Sequence, residues 1–502
     1  MSFEPEFTKI NLNSKKGSLC EQIKVSAKTE ILAEEISSVL SVSAFSTVLE
    51  SEVDGGAVHY GGRVIFYISY VAADGSLKKC ECGSEFKGSV KDALINGARA
   101  NVTTAVVKTE TDLSGIKFGV NAYVDVCVSL SGSSQIDALV GGENLVVNSG
   151  EVTYLKGYGQ KSLTFPVEEE FELNYAVEEV LSHRAQAVIT MAQCGVNCII
   201  VDGEVILSVI MLQKNDRNDI IKEVRTMPFR AEIECEDAMP NMTALATVKE
   251  KSFKTDVSVD EENQKSVVSA SVNLIFDGEA FFEDTISLAT DVFSTEQEVE
   301  VVKKIQPYLK NGDLRSAVTV VSGRSAVSEL PVGAVALAAG GEKVEIISKR
   351  CDGENTVVTG VLSAVGYFRD GEGKAFTKPL EIPFEVALDC AYPCDAIIDV
   401  TAVAARAKIK IISLTEVELD AEITFTIYPN QKQDLSFVCE IKPLGEKKKN
   451  TSAISVYIAM EGEELWSLAK RLNVCPDALI LTNPDLQFPL TGKERIVVYR
   501  QK

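Results

Sequence analysis

An active site needs reactive side chains of matched types gathered in one place. This 502-residue chain offers few. Its two histidines, His59 and His183, lie in no recognisable motif and read as surface or turn residues. Twelve cysteines include the close pairs Cys80/Cys82, Cys194/Cys198 and Cys390/Cys394. None of these is a CxxC, and two histidines are too few to complete a zinc site with them. Most of the others sit singly in apolar runs, as Cys127, Cys235 and Cys439 do, where a free thiol packs as a small core residue. In a reducing cytoplasm all of them are expected to be thiols, with late oxidative cross-linking in an assembly as the alternative. There is no P-loop and no Gly-x-Ser-x-Gly elbow, and Gly157-Tyr158-Gly159 is a lone Gly-x-Gly with no helix after it. Carboxylate runs such as Glu168-Glu169-Glu170 and Glu261-Glu262 read as a solvated face, and no Asp/Asn spacing matches a calcium loop. The expectation is a non-enzyme, with no catalytic residue, no metal and no cofactor.

Recognition is a different matter, and it concentrates in Ser455 to Tyr499. Ser455 to Ala459 alternates as a short half-buried strand does. Glu461-Gly462-Glu463 is a turn. Leu465, Leu468, Ala469 and Leu472 then fall on one face of a short helix, with Glu463 and Glu464 at its partly positive start and Lys470 and Arg471 near its end. Cys475-Pro476-Asp477 restarts the chain, because Pro suits the first helical position. Ala478 to Thr482 predicts a second helix, stopped by Asn483-Pro484. Arg495 to Tyr499 closes the segment as a strand.

The order strand, helix, helix, strand resembles a LysM domain. The matching residues are Tyr457, Gly462, Leu465-Trp466-Ser467-Leu468-Ala469, the Asn483-Pro484-Asp485-Leu486 loop, and Pro489-Leu490 leading to Gly492. The resemblance implies a shallow groove between the first turn and the Asn-Pro loop that binds N-acetylglucosamine-containing glycans such as peptidoglycan. The candidate groove residues are Gly462, Glu463, Glu464, Trp466, Asn483, Pro484, Asp485 and Leu486. The family's Pro-Gly-Asp-Thr/Ser turn is Glu461-Gly462-Glu463-Glu464 here, which adds negative charge at the groove mouth and leaves protein binding open. Trp466, the one tryptophan, either packs within its own small domain or stands beside the groove as an interface anchor. Asn483, Asp485 and Glu463 are also natural caps and turn residues.

The rest of the chain repeats itself. Gly62, Gly203 and Gly360 each precede a long apolar β-prone run, at steps of 141 and 157 residues. Upstream, Val39-Leu40-Ser41 matches Val180-Leu181-Ser182 and Val48 matches Ile189, all at the same 141-residue offset. Downstream come polar turns (Ala73-Asp74-Gly75, Lys214 to Asp219, Arg369-Asp370-Gly371) and return strands carrying Phe86, Phe229 and Phe384. Helical periodicity is nearly absent elsewhere, Ala176 to Leu181 and Val299 to Leu309 being the nearest candidates.

The expected fold is therefore mainly β: three tandem antiparallel sandwich- or barrel-like modules (1–160, 161–306 and 307–443), a charged linker (444–454) and a small C-terminal βααβ LysM domain (455–502). The modules are expected to form an extended rod or to assemble with other proteins. A net charge of −23 argues against nucleic acid and anionic membranes as partners. The absence of a basic-then-apolar N-terminus and of any long apolar run leads to the expectation of a soluble, cytoplasmic protein. This architecture is similar over essentially its full length to the clostridial spore-coat morphogenesis proteins that carry SPOCS-type modules and a LysM domain (the SipL-like family). That resemblance implies a scaffold at the forespore surface of the mother cell, docked through its LysM segment onto the spore-coat morphogenetic protein that forms the basement layer, an ATPase.

Overall fold

The computed structural model describes residues 4–95, 99–214, 219–260, 262, 265–392, 394, 396–447 and 452–499. Its first unit contains β1 (Glu4–Leu32), β2 (Ile36–Asp54), β3 (Ala57–Ala72), β4 (Leu77–Lys91), β5 (Arg99–Asp112) and β6 (Lys117–Glu143). The second repeats this order with β7 (Leu145–Leu173), β8 (Val177–Cys194), β9 (Cys198–Gln213), β10 (Ile220–Glu234), β11 (Thr243–Asp260) and β12 (Lys265–Ser294). The third has β13 (Gln297–Asn311), β14 (Arg315–Ala326), β15 (Val335–Cys351), β16 (Thr356–Arg369), β17 (Ala375–Leu388), β18 (Ile397–Ser413) and β19 (Glu416–Glu446).

In each unit a three-stranded antiparallel meander (β2-β3-β4, β8-β9-β10, β15-β16-β17) faces a second antiparallel sheet built on the unit's last strand. That last strand pairs with the unit's first, so each unit closes on itself: Glu4 with Glu143, Leu145 with Ser294, Gln297 with Glu446. In the third unit the first strand is broken, and β13 and β14 both pair with β19. Strand pairing thus groups the chain as 4–143, 145–294 and 297–446. β7 runs unbroken through residue 160 and β13 through 306, where the sequence suggested divisions. Clustered Gly, Asn and polar residues mark a boundary only where backbone pairing stops, and here it continues. The two weak helical candidates, Ala176 to Leu181 and Val299 to Leu309, lie almost wholly in β8 and β13, because neighbouring strands supply the backbone partners that a short helix would have to find within itself.

The sheets of each unit pack face to face around an alternating apolar core. In the first unit Val64, Phe66 and Ile68 of β3 meet Val124, Val126 and Val128 of β6, all essentially inaccessible. The repeat's anchor is a cross-strand pair: Gly62 faces Phe86, Gly203 faces Phe229, and Gly360 faces Phe384. A Cβ on Gly203 would lie 2.2 Å from the Val188 carbonyl oxygen and 2.5 Å from the Phe229 ring. The ring lies across the glycine, and a β-bulge on the other neighbouring strand, at Val48, Ile189 or Ile346, falls 14 residues before each anchor.

The long strands extend past the sandwiches as three two-stranded ribbons that share one core. Ile10 and Ile136 (first unit), Tyr154 and Leu288 (second), and Tyr308, Leu435 and Phe437 (third) are buried together. The meanders also meet head to tail. Ser69, Ile210 and Tyr367 each lie seven residues past their anchor glycine. Ser69 Oγ donates to the Leu181 carbonyl of the second unit. Ile210 packs beside Gly340 of the third. Tyr367 Oη donates to Ser41 Oγ of the first at 2.9 Å. The units therefore form a closed ring with approximate threefold symmetry, in place of the expected rod. A buried ion pair between Lys222 and Glu342, whose side chains are 8 % and 2 % exposed, ties the second unit to the third.

Two residues depart from their sequence reading. Cys127 forms a disulfide with Cys20, directly opposite it across β1 and β6. Their separation of 107 residues is set by pairing of the first and last strands and leaves no spacing signal. His183 lies inside β8, with its ring 4.4 Å from that of Tyr67 and 4.8 Å from that of Phe253. Burial lowers its pKa to about 4, so it is neutral at pH 7.

Candidate binding site in the C-terminal domain

Beyond β19 the chain forms β20 (Ile454–Ile458), α1 (Leu465–Leu472), α2 (Pro476–Thr482) and β21 (Arg495–Tyr499). β20 and β21 pair antiparallel, Ile454 with Tyr499 and Ile458 with Arg495. The segment expected as a linker is partly strand, since Leu444 to Glu446 belong to β19 and Gly445 and Glu446 pair with β13. Lys447 then donates its backbone N–H to the Glu296 carbonyl at 3.0 Å. Residues 448–451 lie outside the described residues. The domain's core is Leu468, Ala469 and Leu472 of α1, Leu479 of α2, Leu490, and Ile496 and Val498 of β21. Asn473 ends α1 in the left-handed conformation, as a C-terminal cap does.

Each candidate groove residue has a definite place. Gly462 has φ +75° and donates its N–H to the Leu490 carbonyl at 2.7 Å. Glu463 does not face outward: its carboxylate takes both Arg471 contacts, at 2.7 and 2.8 Å, and accepts from the Met460 N–H at 3.2 Å. The Arg471 hydrogen bonds hold it below the usual carboxylate range. Asn483 pins α2 to the edge of β21, donating to the Val497 carbonyl at 2.7 Å and accepting from the Val497 N–H at 2.8 Å. Glu464, Pro484 and Asp485 are exposed, and Leu486 is half-buried against the core.

Trp466 takes neither of its anticipated roles. Its indole leaves its own domain and packs on the end of β12, 5.3 Å from the Phe293 ring. Its Nε1–H donates to Asp291 Oδ2 at 2.7 Å, and Lys470 reaches both Asp291 oxygens at 2.9 and 2.8 Å. Asn473 Nδ2 donates to the Thr295 carbonyl at 2.7 Å. Lys447 Nζ bridges the Ser294 carbonyl and Asn473 Oδ1 at 2.8 and 2.7 Å. Thus α1 is docked on the second unit. Nothing local in the sequence announces Asp291 as its partner, 175 residues upstream of Trp466.

Of the eight candidates, the fold leaves Glu464, Pro484 and Asp485 free to touch a ligand and commits Glu463, Trp466 and Asn483 to structure. Sequence reading missed the outer face of the β20–β21 ribbon. Ile454, Val456 and Ile458 alternate along β20 and are 58 %, 61 % and 70 % exposed, with Tyr499 beside Ile454 at 58 %. The alternation was visible in the sequence, but it did not say which face is outward: the half-buried face carries Ser455 and Tyr457, and the aliphatic one is exposed. Comparison with known protein families, curated proteins and solved structures gave no match. No helix among the described residues is long and apolar enough to cross a membrane. Among the described residues, no group of three or more His, Cys, Asp or Glu side chains is placed to hold a metal ion.

Proposed function

We propose that this chain is a non-enzymatic scaffold of spore-envelope or coat morphogenesis in the mother-cell cytoplasm, and that its LysM-like C-terminal domain docks it onto a protein partner. The observation that carries this reading is the uncovered apolar face of Ile454, Val456, Ile458 and Tyr499 on a small domain that is itself held by α1 to the second unit. An exposed apolar face of this kind suits a protein contact. Exposed carboxylates at Glu461, Glu464 and Asp485 beside the first turn and the Asn-Pro loop further favour a protein over a neutral glycan. The partner proposed is the basement-layer coat ATPase implied by the family resemblance.

The test is co-sedimentation of the full chain with the purified coat ATPase and, separately, with peptidoglycan. The reading expects capture by the ATPase, at least tenfold weaker with Ile458→Glu, and no sedimentation with peptidoglycan. Peptidoglycan binding lost in Asp485→Ala, without ATPase capture, would establish the alternative, a glycan-binding protein of the cell wall or spore cortex.

A further inference from the structure

A cavity of about 430 Å³ lies where the three units meet. Its walls come from β2 and β5 of the first unit, β8 and β11 of the second, and β15 and β18 of the third. At ~30 Å³ per water in the liquid, this is room for about fourteen waters, or for a compact molecule of about a dozen non-hydrogen atoms. Volumes of this size are typical of small-molecule sites.

The charge of the lining runs against that of the protein. The chain has 73 acidic and 50 basic residues, yet the cavity is lined by Lys108, Arg184 and Lys343 against a single carboxylate, Glu250. Lys108 is neutralised by Glu110 at 2.7 Å. The other two are not paired in this way: Glu342 and Glu250 act on Arg184, and Glu345 and Asp125 on Lys343, only from beyond ion-pair contact. Arg184 donates to the Glu342 backbone carbonyl, and Lys343 to the Val106 and Val107 carbonyls at 2.8 and 3.2 Å. Among the described residues neither has a carboxylate in ion-pair contact, and Glu250 is occupied by the Ala187 N–H at 2.5 Å. Burial favours loss of the Lys343 proton; Glu345 opposes this, Arg184 adds to it in smaller measure, and Asp125 also opposes it. A bound anion would offset the cost of burying the two cations. The remaining walls carry hydroxyls, including Ser41, Ser182 and Ser208, which suit the polar remainder of such a ligand.

We propose that this central cavity binds a small oxyanion-bearing polar molecule, a polycarboxylate or a phosphate ester, held by Arg184 and Lys343. Such a ligand touches all three units at once, so its binding reports on closure of the ring. This inference is independent of what the C-terminal domain binds.

The test is calorimetric titration of the full chain with three probes: inorganic phosphate, citrate and glucose 6-phosphate. Binding of at least one probe with Kd below about 5 mM is expected, and the preferred probe distinguishes phosphate from carboxylate chemistry. Lys343→Met should weaken it at least tenfold by removing the charge, and Ala402→Phe should abolish it by filling the cavity with both cations in place. If Lys343→Met does not fold, Ala402→Phe decides alone. No binding below that limit, or binding indifferent to the cavity-filling substitution, overturns the proposal.

Discussion

The indole Nε1–H of Trp466 donates to the carboxylate of Asp291 at 2.7 Å, and this one bond reaches from the C-terminal domain to the second β unit. Lys470 shares the same carboxylate, and Lys303 approaches it at 3.3 Å. Because Trp466 is the only tryptophan in the chain, its fluorescence is a direct readout of docking. Asp291→Ala should shift the emission to the red and increase quenching by acrylamide. The linker should become more sensitive to protease, with the β units unaltered. Hydrogen bonds to a charged group are worth about 1.5–3 kcal/mol, enough to change a docked domain into a largely free one.

The same contact should depend on pH. Burial works to raise the Asp291 pKa, but the hydrogen bonds from Lys470 and Trp466 and the charges of Lys470 and Lys303 prevail and hold it below the ordinary value. A carboxyl depressed in the docked state stabilises docking above its free pKa of about 3.9. That stabilisation is lost as pH falls through the docked value. Tryptophan emission should therefore be flat from pH 7 to about 4 and move to the red below it. Asp291→Asn should remove the acid transition.

The anchor glycines predict a packing defect of a specific kind. Gly203→Ala places a methyl 2.2 Å from the Val188 oxygen and 2.5 Å from the Phe229 ring. Overpacking of this type costs about 1–3 kcal/mol, and backbone on one side leaves the ring as the only part that can yield. Urea denaturation should show the loss. Combining Gly203→Ala with Phe229→Leu should cost less than the sum of the two changes, since the smaller side chain vacates the clash.

These glycines also show what was legible in the sequence. Gly62, Gly203 and Gly360, each followed by a Phe-bearing return strand, were visible because a cross-strand pair fixes both residue types, and only the turn length between them varies. The C-terminal helices were legible for the same local reason: the face of Leu465, Leu468, Ala469 and Leu472 is set within one element. Contacts between units were not legible. Ser69, Ile210 and Tyr367 hold one repeat position yet close the ring by different means, a hydroxyl, an aliphatic chain and a phenol, so no shared residue type marks the position. For Glu463 and Asn483 the sequence left binding and turn-forming roles open, because a polar residue in a binding loop and one that bonds its own domain look alike until the partner, Arg471 or Val497, is seen.

Glu342 tests the ring itself. It pairs with Lys222 across the second and third units and also accepts the Ala407 N–H at 3.3 Å. Glu342→Gln leaves Lys222 buried without its counter-charge, a change that costs about 3–5 kcal/mol. Replacing both partners, as Lys222→Met with Glu342→Leu, should recover much of that loss, because matched apolar groups carry no desolvation penalty. Because Gln keeps an acceptor for the Ala407 N–H and Leu does not, a double variant as unstable as the single one would mean that losing this hydrogen bond costs about as much as losing the charge pair.

The loop that follows α2 separates a structural asparagine from a free carboxylate two residues on. Asn483 bonds Val497 in both directions and also donates to the Leu479 carbonyl at 2.9 Å. Asn483→Ala strips the edge of β21 of both partners and should lower the stability of the C-terminal domain by about 1–3 kcal/mol. Any loss of binding in that variant would then report unfolding as much as recognition. Asp485 is exposed, so Asp485→Ala should leave thermal unfolding unchanged within about 0.5 kcal/mol. A change in ligand affinity in Asp485→Ala, at constant stability, places the ligand at the Asn-Pro loop. Unchanged affinity there, together with loss in Ile458→Glu, places it on the outer face of β20.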